Sequence, residues 1–205
     1  MQVPLRFIVI SVAILVSMNK PGACQSQTFN GEELYLEAVK AFDKKDNITA
    51  QEKLKASANL GFAKAQLSLG KMHFAQNEYE LAFTWTNKAA LQGNAKAMTL
   101  LGHLYSMGYG IHRDDSLALK WTLEAAEAGD PEAQVGMAAR YADGKGVPKD
   151  YIQTHKWLQL AWDRLPANNK PVAGMAIRIL KGTIHLMTDE QRRQARQLAE
   201  EWREK

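Results

Sequence analysis

Residues 97–129 read AMTLLGHLYSMGYGIHRDDSLALKWTLEAAEAG, and this stretch decides the fold. Its first half places apolar side chains such as Leu101 and Leu104 at helical spacing, and its second half does the same around its tryptophan. Gly108 and Gly110 stand between the halves. Glycine is common just past a helix end because it adopts the left-handed conformation at little cost. The stretch therefore predicts two helices joined by a glycine turn.

The same pattern recurs along the chain with a fixed period. Tryptophans lie 36 residues apart, at Trp85, Trp121 and Trp157. Small residues precede them at Gly70, Gly102 and Ala138, and tyrosines follow the last two of these at Tyr105 and Tyr141. One helix pair cannot bury its apolar face alone, so neighbouring pairs must stack and share a core. The period predicts an all-α protein built as a solenoid.

The landmarks follow the order Ala-x3-Leu-Gly-x2-Tyr-x2-Gly-x-Gly-(Val/Ile)-x2-Asp-x3-Ala-x2-Trp-x3-Ala-Ala-x2-Gly, which resembles the Sel-one-like repeat (SLR) family, a relative of the tetratricopeptide repeats. The unit before residue 97 lacks the Gly-x-Gly turn. The unit after residue 129 has Thr154, Trp162 and Leu165 where the pattern has alanine, alanine and glycine. Residues 31–61 look like a degenerate opening unit. The period and the resemblance together predict a right-handed α/α solenoid of three to four helix-turn-helix repeats with a C-terminal capping helix.

The register divides the chain and names its core. We assign residues 31–165 to the repeat array and residues 166–205 to a helical cap, because repeat arrays need ends with a polar outer face. The last helix should begin at Thr188-x-x-Gln191, which has the form of a capping box. The predicted structural core positions are Gly70, Trp85, Gly102, Tyr105, Trp121, Tyr141 and Trp157.

The first 24 residues have the plan of a secretory signal peptide. Arg6 precedes an apolar run over residues 7–18, and small residues follow up to Cys24. The run is too short for a good membrane span, which needs about 20 apolar residues. We expect cleavage before Gln25, a short linker over residues 25–30 and a periplasmic or secreted protein. The alternative is lipidation of Cys24, which would give a lipid-anchored adaptor.

Composition limits the partners. Without residues 1–24 the chain carries 24 basic and 22 acidic side chains and no cysteine. Nearly balanced charge does not predict a nucleic-acid partner, which would call for a concentrated basic face. The lack of cysteine excludes a disulfide scaffold and a thiolate metal site. The resemblance implies a non-enzymatic protein–protein interaction scaffold in the bacterial cell envelope or outside the cell. Its partner would be another protein or peptide segment of the envelope or host.

A hydrolase is the competing function. Ser68-Leu-Gly-Lys71 fits the Ser-x-x-Lys nucleophile motif of penicillin-recognising enzymes. Some cysteine-rich members of the family that the chain resembles have been linked to β-lactam hydrolysis. The cysteine pairs of those relatives are missing, however, and no Lys-Thr-Gly accompanies Ser68. The five histidines form no His-Glu-x-x-His motif. We therefore predict a protein with no catalytic residue, metal site or cofactor.

The register also predicts a binding face. In stacked helix pairs the first helices line the concave surface, where partners bind. The positions on these helices that the repeat does not use for packing are Lys64, Lys71, Lys96, His103, Glu132 and Arg140. Most of them are basic, which predicts a partner segment with acidic or carboxylate groups. Trp162 and Trp202 fall outside the period, so they either pack in the cap or serve as exposed anchors of an interface.

Overall fold

The computed structural model describes residues 30–165 and 168–204, and every regular element in these ranges is helical. The predicted signal peptide, Cys24 and the cleavage site before Gln25 lie outside the described residues. The elements are α1 (Gly31–Asp43), α2 (Asn47–Asn59), α3 (Ala63–Ala75), α4 (Tyr79–Ala90), α5 (Ala95–Met107), α6 (Asp115–Glu127), α7 (Pro131–Asp143), α8 (Tyr151–Trp162), α9 (Lys170–Thr183), a 3-10 turn (Ile184–Leu186) and α10 (Asp189–Arg203). None of these helices is long and apolar enough to cross a membrane.

The helices pack as stacked pairs. The first eight form four pairs, α1 with α2 through α7 with α8, and the second helix of each pair also packs on the first helix of the next. First helices touch each other across units at both ends of the array, α1 with α3 and α7 with α9. This arrangement confirms the predicted α/α solenoid, with the opening pair counted as a fourth unit.

Two glycines let the helices of a pair approach closely. A β-carbon added to Gly70 would lie 3.2 Å from the backbone nitrogen of Thr86, and one added to Gly102 would lie 3.2 Å from the carbonyl oxygen of Ala118. Both distances are tighter than ordinary van der Waals contact. In the pair of α7 and α8, Ala138 occupies the corresponding place and is fully buried. The small residues of the period are therefore contact points between paired helices.

The turns are built as the sequence predicts. Gly108 and Gly144 end α5 and α7 in the left-handed conformation. Asp114 and Asp150 then cap α6 and α8, each accepting hydrogen bonds from two backbone N–H groups. The unit without the Gly-x-Gly turn uses Asn77 instead, with φ of 61°. Asparagine tolerates this conformation better than most residues, which permits the shorter connection between α3 and α4.

Three apolar clusters form the core, and they bury the periodic tryptophans unequally. Trp157 is 3% exposed and belongs to the largest cluster, whereas Trp85 and Trp121 are half-buried against the two smaller ones. The largest cluster also contains Val172 of α9 and Ala199 of α10. The cap helices α9 and α10 therefore cover the apolar core of the last repeat unit, and among the described helices the earlier units have no such additional cover. The period overstates the burial of Trp85 and Trp121; Tyr105 and Tyr141 are half-buried too.

Two helices close the array. α9 packs on α7 and α8, and α10 packs on α8. The predicted capping box is present at the start of α10, where Thr188 accepts from the backbone N–H of Gln191 and the Gln191 side chain accepts from the backbone N–H of Thr188. The cap thus contains two main helices, α9 and α10.

Candidate binding groove

A groove of about 520 Å³ crosses the first helices of the second, third and fourth units. Its walls come from α3, α5 and the start of α7, and Asn169, just before α9, also lines it. Its lining includes four of the six predicted binding residues, namely Lys71, Lys96, His103 and Glu132. The remaining lining residues are Phe74, Thr99, Leu100, Asp130, Pro131 and Asn169. The structure therefore brings most of the predicted positions onto one surface.

Charge is distributed unevenly across this groove. Lys71 and Lys96 are exposed on α3 and α5, and neither forms a hydrogen bond or ion pair with another part of the chain that the structure describes. Glu132 is exposed and equally free at the start of α7. Asp130 is buried and already used, since it accepts from the hydroxyl of Thr99 and from the backbone N–H of Ala133. The groove thus offers two cationic groups on one side and a carboxylate on the other.

Aromatic rings border the cationic side. Phe74 lies 5.8 Å from the ring of His103, and Tyr79 stacks on Tyr109 with centroids 4.3 Å apart and planes 9° from parallel. The stack depends on Gly110, because a β-carbon there would collide with the backbone of Tyr79. The sequence did not predict this aromatic cluster of Phe74, Tyr79, His103 and Tyr109. Its only signal in the sequence is Tyr109, which lies inside the Gly-x-Gly turn.

Two of the predicted binding residues lie apart from the groove. Lys64 is exposed in the first turn of α3, and its carbonyl oxygen accepts from the hydroxyl of Ser68. Arg140 lies near the end of α7, with its guanidinium towards Gly146. The guanidinium of Arg113 lowers the pKa of the Asp115 carboxyl, and the charge of Arg140 adds to this effect. Neither Lys64 nor Arg140 lines the groove.

The two polar residues of the Ser-x-x-Lys motif have different surroundings on α3. Ser68 donates its hydroxyl hydrogen to the carbonyl of Lys64 at 2.9 Å, a bond within its own helix. Lys71 faces the groove, whereas Ser68 does not line it. Over residues 30–165 and 168–204, no group of three or more histidine, cysteine, aspartate or glutamate side chains is arranged to hold a metal ion. The Ser68 hydroxyl is therefore bonded inside α3, and the Lys71 side chain belongs to the groove.

The two tryptophans outside the period differ in their surroundings. Trp202 packs against the largest apolar cluster, and the guanidinium of Arg164 lies 5.0 Å from its ring. Trp162 is 57% exposed at the end of α8. Trp202 therefore packs in the cap, whereas Trp162 exposes much of its aromatic ring to solvent.

Comparison with known proteins extends these observations. The sequence profile of the Sel1 repeat matches residues 63–94, 95–130 and 131–163, which correspond to the pairs from α3 to α8. A protective antigen present in uropathogenic Escherichia coli strains, which displays an SLR fold, is similar over 85% of this chain at 30% identity, with a TM-score of 0.71. This chain spans only 38% of that protein.

A second solved structure, a Sel1 repeat protein from Oxalobacter formigenes, is also 30% identical. The match covers 55% of this chain and 89% of that protein, with a TM-score of 0.49. No curated protein matches the chain significantly.

Proposed function

This chain belongs to the Sel1 repeat family, and on that premise we propose that it is a non-enzymatic scaffold that binds a protein segment in the groove across α3, α5 and α7. Sel1 repeat proteins are generally protein–protein interaction scaffolds. The groove meets the physical needs of such a role, because its walls are helices and its lining includes the side chains of Lys71, Lys96 and Glu132, which have no hydrogen bond or ion pair with the described residues.

The free ammonium groups of Lys71 and Lys96 are the observation that carries the proposal. A surface cation with no partner keeps its hydration until a ligand with a carboxylate replaces it, and complementary charge then gives both speed and selectivity of association. Phe74 lies on the same side and supplies an apolar surface for the ligand backbone or side chain. Glu132 on the opposite wall favours a ligand that carries a basic group beyond its acidic one.

The proposed place of action is the bacterial envelope or the outside of the cell. The basis is the apolar run over residues 7–18, preceded by Arg6 and followed by small residues up to Cys24. A lipid anchor on Cys24 would change how the protein is held and would leave the groove available.

The test is affinity capture from an envelope extract with the unaltered protein and with Lys71→Glu/Lys96→Glu. We expect the charge reversal to weaken retention of the specific partner about tenfold or more, because two repulsions replace two attractions, while the melting temperature stays the same. The control is Lys55→Glu/Lys120→Glu on α2 and α6, which makes the same change in net charge on second helices. Equal retention by both double variants would show that the groove is not the binding surface.

A further inference from the structure

The two closing helices stand apart. In the four earlier pairs the two helices pack along each other, whereas α9 and α10 each pack on α8 without comparable packing between them. His155 of α8 bonds to Thr183 at the end of α9, and Arg203 of α10 pairs with Asp163 just past α8. These contacts hold the helices on either side of α8. A gap of about 410 Å³ remains between them, with α8 as its floor.

The floor and one wall of the gap are apolar. Leu158 and Trp162 lie one turn apart on α8, and Leu180 and Ile184 face them from α9 and the following turn. Trp162 is 57% exposed, and Leu180 and Ile184 are more than one-third exposed. Scattered exposed apolar residues are ordinary, but a contiguous concave group that includes a tryptophan is typical of an interaction site.

The other wall, on α10, carries two arginines, of which only one is bonded to other residues that the structure describes. Arg192 is committed to the fold, since it pairs with Asp189 and donates to the carbonyl oxygens of Ile184 and Met187. Arg196 lies one turn further along α10, is exposed, and has no hydrogen bond or ion pair with any described residue. A free guanidinium therefore stands beside an apolar floor, and a carboxylate is its best geometric match.

The size of the gap decides what can enter it. A helix is about 10 Å across and rises about 1.5 Å per residue, so three turns occupy on the order of 1,000 Å³. The gap is smaller than this and accepts the side chains of one helix face, with the backbone of that helix outside. From His155 to Trp162 it runs about two turns along α8, which suits apolar side chains at positions i, i+4 and i+7 of a bound helix.

We infer that this gap, defined by Leu158, Trp162, Leu180, Ile184 and Arg196, is a second docking site, for an amphipathic helix of a partner protein. The helix places its apolar face over Trp162 and Leu180 and an acidic side chain against Arg196. The site is separate from the groove of Lys71 and Lys96, so it does not depend on the function proposed for that groove. Two surfaces on one rigid array allow the protein to hold two segments at once.

The test is selection of displayed helical peptides of about 16 residues, roughly four to five turns, with randomised outward positions. We expect the enriched peptides to carry an apolar stripe and an acidic residue beside it. Fluorescence anisotropy should then show binding weakened about tenfold or more in Trp162→Ala and in Arg196→Glu, with unchanged melting temperatures. Replacing the acidic residue of the peptide by lysine should restore binding to Arg196→Glu.

Two control variants should keep peptide affinity. Lys181→Glu reverses an exposed charge on α9 that does not line the gap, and Lys71→Glu/Lys96→Glu alters the other groove. The inference is overturned if no peptide is enriched, if the enriched peptides lack the acidic residue, or if they bind Trp162→Ala normally. It is also overturned if sedimentation shows a dimer that Trp162→Ala dissociates, because the occupant would then be a second copy of the chain.

Discussion

A β-carbon placed on Gly102 would lie 2.8 Å from Oγ1 of Thr122, which is fixed by its own hydrogen bond to the carbonyl of Ala118. Even the methyl group of alanine would therefore separate α5 from α6. We expect Gly102→Ala to reduce the free energy of unfolding by about 1–3 kcal/mol, the usual cost of overpacking. Gly174→Ala on α9 is the matched control, because nothing lies within 4 Å of its added β-carbon. Urea denaturation should show Gly174→Ala stabilised by about 0.5–1 kcal/mol.

The tryptophans should differ in energetic weight. Trp157→Ala removes a buried ring from the largest cluster and should cost about 3–5 kcal/mol. Trp121→Ala removes a half-buried ring and should cost less, about 1–3 kcal/mol, because less apolar area leaves contact with protein. Circular dichroism during urea denaturation measures both. Equal losses of unfolding free energy in the two variants would contradict the deeper burial of Trp157 by the cap.

Acidification should lower the stability of the folded chain through His155. Thr183 donates its hydroxyl hydrogen to the carbonyl of Ile179, so the Nε2–H of His155 must donate to Thr183. Burial lowers the pKa of His155 below its ordinary value of 6.5, and the charge of Arg192 lowers it further. The unfolded chain then binds the proton more readily than the folded one. This contribution to stability is therefore complete above pH 6.5 and is lost as the pH falls from there through the folded pKa.

The measurement is the melting temperature of His155→Gln, which keeps a donor for Thr183 and does not titrate. Between about pH 7.5 and about pH 5.5 it should fall less than in the unaltered protein. The exposed His112→Gln variant serves as control and should behave like the unaltered protein. If His155→Gln is as sensitive to acid as the unaltered protein, another group controls the response.

Ser68→Ala should leave the protein unchanged in every assay. The hydroxyl bonds only within α3, so its removal has little effect on stability. Hydrolysis of the chromogenic β-lactam nitrocefin by the purified protein should be at background level, and the variant should match it. Turnover that disappears in Ser68→Ala with the fold intact would establish the hydrolase instead.

Export predicts a specific mass. If the first 24 residues are a cleaved signal peptide, the protein in the envelope fraction should begin at Gln25. Intact-mass spectrometry decides this directly. A retained Met1 contradicts cleavage, and a diacylglycerol adduct on Cys24 identifies the lipid-anchored form.

Periodic residues made most of the fold predictable. Gly102 and Asp114 recur with the tryptophans, and each has a local role, a close helix contact or a helix cap, that depends on a few neighbouring residues. Four of the six predicted binding positions line one groove, because positions that the repeat leaves free recur on successive first helices; their role in binding stays a prediction. Lys64 and Arg140 lie outside the groove, Arg140 beside Gly146 towards the end of α7, because the register does not show which free positions share one surface.

The cap was less predictable because it does not repeat. The arrangement of α9 and α10 depends on contacts such as His155 with Thr183 and Arg203 with Asp163. No spacing in the sequence reveals these pairs. The exposure of Trp162 follows from that arrangement, so the sequence left its role open between packing and anchoring.

The unequal apolar clusters imply an order of local opening. Helices α6 to α10 share the largest cluster, whereas α1 and α2 are held by a small cluster, the ring of Tyr35 on Phe62 and a hydrogen bond from Ser57 to the carbonyl of Gly31. In a linear array each unit is stabilised mainly by its neighbours, and among the described helices the opening pair packs on α3. Amide hydrogens of α1 and α2 should therefore exchange with solvent deuterium first, and those of α7 and α8 last. Fraying of the opening pair would leave the second docking site intact.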